Sequence, residues 1–244
     1  MLPVFAFWGI EMQKLIAKYL LMLALSLAAP AVYSQVQAPD ALLKAAAVEV
    51  IGKIKQDQAV GPIDAAKLAA LVEHSIVPLF DFTHMTRLAM ARNWRRATLE
   101  QQSVLTDEFK TLLLRSYSRA IAQYRDEAVE FKRLRAGPAA DEVTVRSEVT
   151  QPGGGRIALD YDMEKTPVGW KIYDLKVAGV RQVTTFRDIF ADQVREGGVD
   201  GLIKFLADGN REVGSKFNSV TRSFWERTQI VYAILQNMLR SGGQ

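Results

Sequence analysis

The segments VTVRSEV (residues 143–149), IALDYDM (157–163) and WKIYDLKV (170–177) decide the fold of this 244-residue chain. Hydrophobic and polar residues alternate along most of each segment, and the short segment VEF (129–131) continues the pattern towards the N-terminus. Because successive side chains of an extended strand point to opposite faces, a period of two residues predicts strands with one apolar face. The four segments therefore predict four strands.

Turn sequences separate these segments at the spacing of hairpins. They are Gly137-Pro138, Gln151 to Gly155 with three consecutive glycines, and Lys165 to Gly169. The glycine run lies between two predicted strands and is not followed by a helix with Lys-Ser or Lys-Thr, so we interpret it as a turn and not as a phosphate loop. Short connections of this kind predict a twisted, four-stranded antiparallel sheet.

Helices are predicted on the N-terminal side of the strands, where apolar residues recur every three to four positions. The first covers residues 38–60, the second runs from an N-cap at Asp64 to the stop before Pro78, the third begins near Asp81, and the fourth opens at Thr98. In the fourth, Thr98 and Gln101 form a capping-box pair.

Helical spacing returns after the last strand. Val183 to Val194 carries one apolar stripe that stops at Gly197-Gly198, and a shorter helix follows from Asp200 to Leu206. Helices, then a meander, then helices predict an α+β domain in which helices cover one face of the sheet. Residues 210–244 carry a separate apolar stripe, and we expect them to form a C-terminal amphipathic helical extension.

The N-terminal residues have the order of a secretory signal peptide. Lys14 and Lys18 precede the apolar run Leu20 to Ala29, which is too short to span a bilayer. We expect cleavage after Ser34, with sites near Ala29 and Ala31 as alternatives, and Met12 is an alternative start that would make residues 1–11 a mis-assigned extension. The predicted organisation is a signal peptide (1–34), a domain (35–209) and the extension (210–244), with export from the cytoplasm.

Charge distribution and cysteine content exclude several classes of function. Beyond residue 34 the chain has 29 basic and 26 acidic side chains, and the two signs are interleaved along the sequence. A nucleic-acid binder would concentrate its positive charge in a patch or stripe. The chain has no cysteine, which excludes disulfides, thiol catalysis and cysteine metal sites.

Side chains for catalysis are few. The chain has two histidines, His74 and His84, which we interpret as surface or hydrogen-bonded residues. Asp81 lies between Phe80 and Phe82, which could raise its pKa in a pocket. We interpret Asp81 instead as a helix N-cap.

Two further charged groups have ordinary interpretations. Asp160 and Asp162 alternate with apolar residues, so they point to the polar face of their strand. Arg92, Arg95 and Arg96 surround Trp94 and fit solvated charges at a helix end, with a lipid phosphate or an acidic partner as the alternative. We predict no catalytic residues, no metal site and no cofactor.

Two segments resemble a known family. IVPLFDFTHMTRLAMARNWRRATLEQQ (residues 76–102) matches a pattern of Val-Pro, Asp-Phe, Trp-Arg, Ala-Thr and Gln, and GWKIYDLKVAGVRQVTTFRDIF (169–190), followed by GGVDGLI (197–203), matches Trp-x-x-Tyr-Asp, Gly-Val and Gly-Val-Asp-Gly-Leu. Both patterns resemble the MlaC family of periplasmic phospholipid-binding proteins, also called toluene-tolerance auxiliary proteins. The resemblance covers about residues 40–208. Met90-Ala91-Arg92 departs from it, since Leu-Gly-x would be expected there.

The resemblance implies a function and partners. It implies helices packed on the sheet around an apolar lipid pocket that holds both acyl chains, in a carrier of the periplasm that is not an enzyme. Such a carrier moves phospholipid between the outer and inner membranes and maintains outer-membrane lipid asymmetry. Its implied partners are an inner-membrane ABC transporter with an MCE-domain protein, and an outer-membrane lipoprotein–porin complex.

The apolar faces of the predicted helices and strands supply candidates for the pocket wall. They are Phe82, Leu88, Leu113, Tyr117, Val145, Ile157, Leu159, Tyr161, Ile172 and Leu175. A filled core would use the same residues, so two other functions stay open. One is a small-ligand enzyme or binding module of a cone-shaped α+β type, with Asp81, His84 or Asp174 in its pocket. The other is a periplasmic adaptor that has a solid interior and acts through its tail.

Overall fold

The computed structural model describes residues 37–61, 64–122, 128–134, 140–150 and 155–211, without the side chains of residues 65 and 116–122. The predicted signal peptide, the turn at Gly137-Pro138, most of the glycine loop and the predicted C-terminal extension lie outside the described residues. The helices are α1 (Pro39–Gln58), α2 (Ala65–Ser75), α3 (Phe82–Met90), α4 (Leu99–Ala122) and α5 (Gln182–Arg211), with 3-10 helices at Val77–Leu79 and Ala91–Arg96.

Side-chain caps fix where several of these helices begin. Asp64 accepts a hydrogen bond from the backbone N–H of Ala66 at 2.8 Å, and Asp81 accepts one from the N–H of His84 at 2.7 Å. The capping box before α4 is formed in both directions, at 3.0 Å and 3.1 Å. Each cap satisfies a backbone donor that the first turn of a helix leaves unpaired. The predicted N-caps are confirmed.

The sheet is antiparallel throughout, and its strands are adjacent in chain order. They are β1 (Ala128–Phe131), β2 (Glu142–Thr150), β3 (Arg156–Thr166), β4 (Gly169–Val177) and β5 (Val180–Arg181). The prediction of helices with an antiparallel sheet is confirmed, but the number of four strands is wrong. The fifth strand is only two residues long, so it has no period from which a sequence pattern could predict it.

A β-bulge in β4 sets the faces of the sheet. Asp162 pairs with Asp174 while Met163 pairs with Ile172, so Tyr173 has no partner in β3. An extra residue of this kind shifts the alternation of one strand relative to its neighbour. As a result, Ile172 and Leu175 lie on the same face of the sheet although they are three positions apart.

The helices pack mainly on each other. Their shared interior, called the helical core below, combines buried side chains of α3, α4 and α5 and of Ala97. At its centre the ring of Phe109 packs in T-shaped geometry against Phe186 and Phe190, with centroids 4.8 Å and 5.1 Å apart. Phe80, which follows the first 3-10 helix, contacts both the helical core and the sheet. The backbone of Phe80 forms an isolated parallel β-bridge with Ile172. The N–H of Asp81 donates to the carbonyl of Ile172 at 2.8 Å.

Helix α5 is kinked at Gly198. This residue has φ 68° and ψ −167°, a conformation that is essentially restricted to glycine. The predicted stop at Gly197-Gly198 therefore corresponds to a kink, after which the chain continues as a second helical segment. The kink lets the second segment return Leu202 and Leu206 to the helical core.

Gly198→Ala should lower the free energy of unfolding by about 2 kcal/mol, because alanine would hold a glycine-only conformation. Gly197→Ala is the matched control. A Cβ at either position meets no atom within 4 Å, but Gly197 is helical. We expect the control to be neutral or slightly stabilising. Urea unfolding of both variants measures the difference, and equal stabilities would contradict the assigned kink.

Candidate functional site

The apolar face of the sheet is the candidate binding surface, and its side chains divide into two groups. The sheet–helix cluster joins strands β1 to β4 to α1 and the first 3-10 helix. Its members are Leu43, Val145, Met163, Trp170 and Ile172, with partly buried Leu42, Leu79, Phe80, Phe131, Leu134, Val143 and Tyr161. The sheet-only cluster comprises Ile157 and Val177, with partly buried Val149, Leu159, Leu175, Ala178 and Val180.

Strand pairing places the predicted strand residues side by side. Val145 and Leu175 both lie opposite Tyr161, from β2 and β4 respectively. Ile157 and Leu159 follow on the same face of β3, and Ile172 joins them through the bulge. The structure therefore brings all six predicted strand residues together on one continuous apolar face.

The predicted helix residues lie elsewhere. Leu113 is buried in the helical core, and Leu88 and Phe82 pack against it partly buried. Phe82 approaches the sheet only through Phe80, on which its ring stacks at 5.5 Å. The side chain of Tyr117 is outside the described residues. Among the predicted helix residues whose side chains the structure describes, Phe82 is thus the one connected to the apolar face.

Sequence reasoning missed several residues that line this face. Phe80, Phe131 and Leu43 contact it, and Ser147 lies within it. Leu43 has helical spacing and Phe131 has strand spacing, so both carried a signal. For Phe80 the signal was its position just before the N-cap at Asp81.

Burial on the apolar face is uneven. Val145 and Ile172 are 1% exposed, while their neighbours Leu159, Tyr161 and Leu175 are only partly buried. Large apolar side chains gain most from complete burial, at roughly 25 cal/mol per Å² of buried apolar area. Three neighbouring ones that keep accessible surface therefore mark a place where the described part of the chain does not complete the packing.

Tyr161 lies at the centre of this surface. Burial raises the pKa of its phenol, against a smaller opposing effect of a hydrogen bond from Ser147. A charged phenolate is disfavoured where protein surrounds the group on most sides. The phenol of Tyr161 therefore stays protonated at physiological pH.

The opposite face of the sheet holds an ion cluster. The Nη1 atom of Arg181 lies 2.6 Å from an oxygen of Asp162 and 2.8 Å from one of Asp174. The second oxygen of Asp174 accepts hydrogen bonds from the N–H groups of Leu175 and Val183, at 2.9 Å and 3.1 Å. Asp162 also accepts one from Thr144 at 2.7 Å. The cluster joins β3, β4 and β5 to the start of α5.

Residues considered for acid–base chemistry have structural partners. Asp81 is the N-cap of α3, and Asp174 belongs to the ion cluster. His84 lies 2.5 Å from Glu164 and stacks on the ring of Tyr173 at 4.8 Å. Burial, with the nearby charge of Glu142, raises the pKa of Tyr173 to about 12. These contacts connect α3 to the β3–β4 hairpin.

The remaining charged candidates lie on the surface. His74 is exposed, as are Arg92, Arg95 and Arg96, while Trp94 is partly buried against the helical core. Asp160 lies on the polar face of β3, where Lys176 is 3.4 Å away. The interpretation of the arginines as exposed charges next to a helix end is confirmed.

Within the ranges that the structure covers, no three histidine, aspartate or glutamate side chains gather as metal ligands. None of the helices in those ranges is long and apolar enough to cross a bilayer.

Fold and site together define a class: helices on an antiparallel sheet that carries an incompletely packed apolar face. Comparison with known proteins identifies the family. The family model of the MlaC protein matches residues 44–208. The chain therefore belongs to the MlaC family.

Individual relatives agree with this assignment. The toluene tolerance protein ttg2D of Pseudomonas putida is 23% identical over 180 residues, covering 73% of this chain and 83% of that protein. The intermembrane phospholipid transport system binding protein MlaC of Haemophilus influenzae is 20% identical over 168 residues, covering 68% and 78%.

A solved structure is also similar. The phospholipid-binding protein from Ralstonia solanacearum, in complex with a phospholipid, is 40% identical to this chain. The two superpose with a TM-score of 0.67, over 72% of this chain and 98% of that one.

Proposed function

We propose that this chain is a periplasmic phospholipid carrier that binds acyl chains against the apolar face of its sheet and is not an enzyme. Family membership and the likeness to a protein solved with a phospholipid support the ligand class. The observation that carries the proposal is the uneven burial of the apolar face. There Leu159, Tyr161 and Leu175 keep accessible surface next to fully buried Val145 and Ile172.

An apolar surface of this kind suits acyl chains. Each CH₂ group transferred from water contributes roughly 0.8 kcal/mol, so two chains supply ample affinity without specific head-group contacts. Dispersion contacts with leucine, valine and aromatic side chains require no fixed orientation of the chain. We therefore expect binding of diacyl lipids with several head groups.

Burial of the acyl chains also implies that release of the lipid requires a partner protein. The same energy that holds the chains opposes their return to water, so a partner must accept the lipid without exposing it. We propose an inner-membrane ABC transporter with an MCE-domain protein and an outer-membrane lipoprotein–porin complex as these partners. Transfer between them would maintain the lipid asymmetry of the outer membrane. The name of the relative from Haemophilus influenzae, an intermembrane phospholipid transport system binding protein, supports this part of the proposal.

We also propose a domain organisation that suits this function. We propose that residues 1–34 direct export and are removed, that residues 35–209 form the lipid-binding domain, and that residues 210–244 are an added helical extension. The family match over residues 44–208 supports the proposed bounds of the lipid-binding domain.

Lipid extraction tests the carrier function. The full chain is expressed with its own N-terminus in a Gram-negative host, purified from the periplasm without detergent, and extracted for mass spectrometry. We expect about one diacyl phospholipid per chain. An unrelated periplasmic protein of similar size, purified in parallel, controls for carried-over membrane. A lipid-free chain that also fails to take up added phospholipid would contradict the proposal and favour an adaptor with a solid interior.

A further inference from the structure

Two hydroxyl groups lie on the apolar face of the sheet. Ser147 is 1% exposed, and its register neighbours are Phe131 in β1 and Leu159 in β3. Its Oγ lies 3.4 Å from the phenolic oxygen of Tyr161. The ring of Tyr161 is stacked near that of Phe131, with centroids 6.5 Å apart. Both hydroxyls therefore have apolar side chains as their cross-strand neighbours.

The contact between the hydroxyls does not use their full bonding capacity. Bonds between O–H donors and oxygen acceptors are usually 2.5–3.0 Å long, so 3.4 Å is a weak one. Each hydroxyl has one donor and two lone pairs. When Ser147 donates to Tyr161, the phenolic O–H stays available, and in the described part of the chain no second side-chain partner stands beside either group.

A donor without a strong partner is costly in such surroundings. A buried hydroxyl that lacks a hydrogen bond loses the solvation it had in water without replacement. Burial raises the pKa of Tyr161, so the phenol keeps its proton at physiological pH. The pair thus presents a protonated donor to the same incompletely packed surface that the proposed function assigns to acyl chains.

The chemistry of a phospholipid offers few acceptors for this donor. The hydrocarbon chains have none, and the head group carries charged acceptors that favour solvent. The ester carbonyl oxygens lie between them, where the chains begin. They are neutral acceptors that can enter an apolar site once a donor satisfies them.

We propose that the hydroxyl of Tyr161, positioned by the hydrogen bond from Ser147, donates to an acyl-ester carbonyl oxygen, and so selects ester-linked lipids and fixes how deeply the chains enter. This inference rests on the proposed function. It adds a polar anchor with a defined acceptor to a surface that is otherwise apolar. Tyr161 is the donor, because Ser147 donates its own hydroxyl hydrogen to Tyr161 and the phenolic O–H stays available.

Binding of matched lipids tests this selection. Delipidated full-length chain is titrated with a diester phosphatidylglycerol and with the diether phosphatidylglycerol of equal chain length. We expect the wild type to bind the diester roughly fivefold more tightly, the effect of one net hydrogen bond. Tyr161→Phe should bind both lipids equally, and Ser147→Ala should reduce the preference.

Controls separate the possible outcomes. Tyr173→Phe removes a phenolic hydroxyl outside the apolar face and should keep the preference. Equal binding of both lipids by the wild type, or an unchanged preference in Tyr161→Phe, would overturn the inference and leave the carrier function standing. No binding of either lipid would overturn both. Free palmitate serves as a third ligand. If the Tyr161 hydroxyl increases the affinity for palmitate but not for the diester, the acceptor belongs to a fatty acid, and the assignment to an ester carbonyl is refuted.

Discussion

Arg181→Met should lower the free energy of unfolding by about 3 kcal/mol. The substitution keeps much of the side-chain length but leaves Asp162 and Asp174 opposite each other in the sheet without their shared cation. Their side chains are only 12% and 3% exposed. Removing one partner of a buried ion pair costs about 3–5 kcal/mol, and the 43% exposure of Arg181 favours the lower end.

Arg156→Met is the matched control. Arg156 is 67% exposed and 3.5 Å from Glu148, so its loss should cost under about 1 kcal/mol. Urea unfolding of both variants measures these differences, and equal effects of the two substitutions would refute a structural role for the cluster.

Leu159→Trp should reduce phospholipid affinity about tenfold while leaving the melting temperature nearly unchanged. Leu159 is partly buried on the apolar face. An indole there would occupy space proposed for acyl chain. Displacing about two CH₂ groups at roughly 0.8 kcal/mol each accounts for the loss. Lipid titration and thermal unfolding of the delipidated variant provide the two measurements.

Ala158→Trp is the control for that experiment. Ala158 is exposed on the other face of the same strand, so the added ring should affect neither lipid nor stability. The comparison also distinguishes a carrier from an adaptor with a solid interior. In a filled core, Leu159→Trp would overpack and cost about 1–3 kcal/mol of stability. Such a cost, without an effect on lipid, would contradict the carrier function.

The elements of the fold were largely predictable because their signals are local. The alternation of apolar and polar residues predicted β2 and β3. The capping residues Asp64, Asp81 and Thr98 predicted where three helices begin. Strand β5 was missed because pairing, not pattern, defines a strand of two residues. The bulge at Tyr173 was likewise invisible, since alternation in one strand does not reveal the register of its neighbour.

The candidate site was only partly predictable. Val145 and Leu113 are both apolar residues at the spacing of their element, yet one lies on the apolar face of the sheet and the other in the helical core. Sequence spacing shows which face of an element is buried but not which interior it enters. The ion cluster was missed because Arg181, Asp162 and Asp174 meet only after three strands pair.

Photo-crosslinking tests the central claim most directly. A phospholipid with a diazirine in the middle of one acyl chain is loaded into the full-length chain, activated by light, and located by peptide mass spectrometry. The account predicts labelled residues within 143–149, 157–163 and 170–177, with competition by unlabelled phospholipid. Labelling confined to the helical core around Phe109, or to exposed side chains such as Leu99 and Val48 without competition, would contradict binding at the sheet.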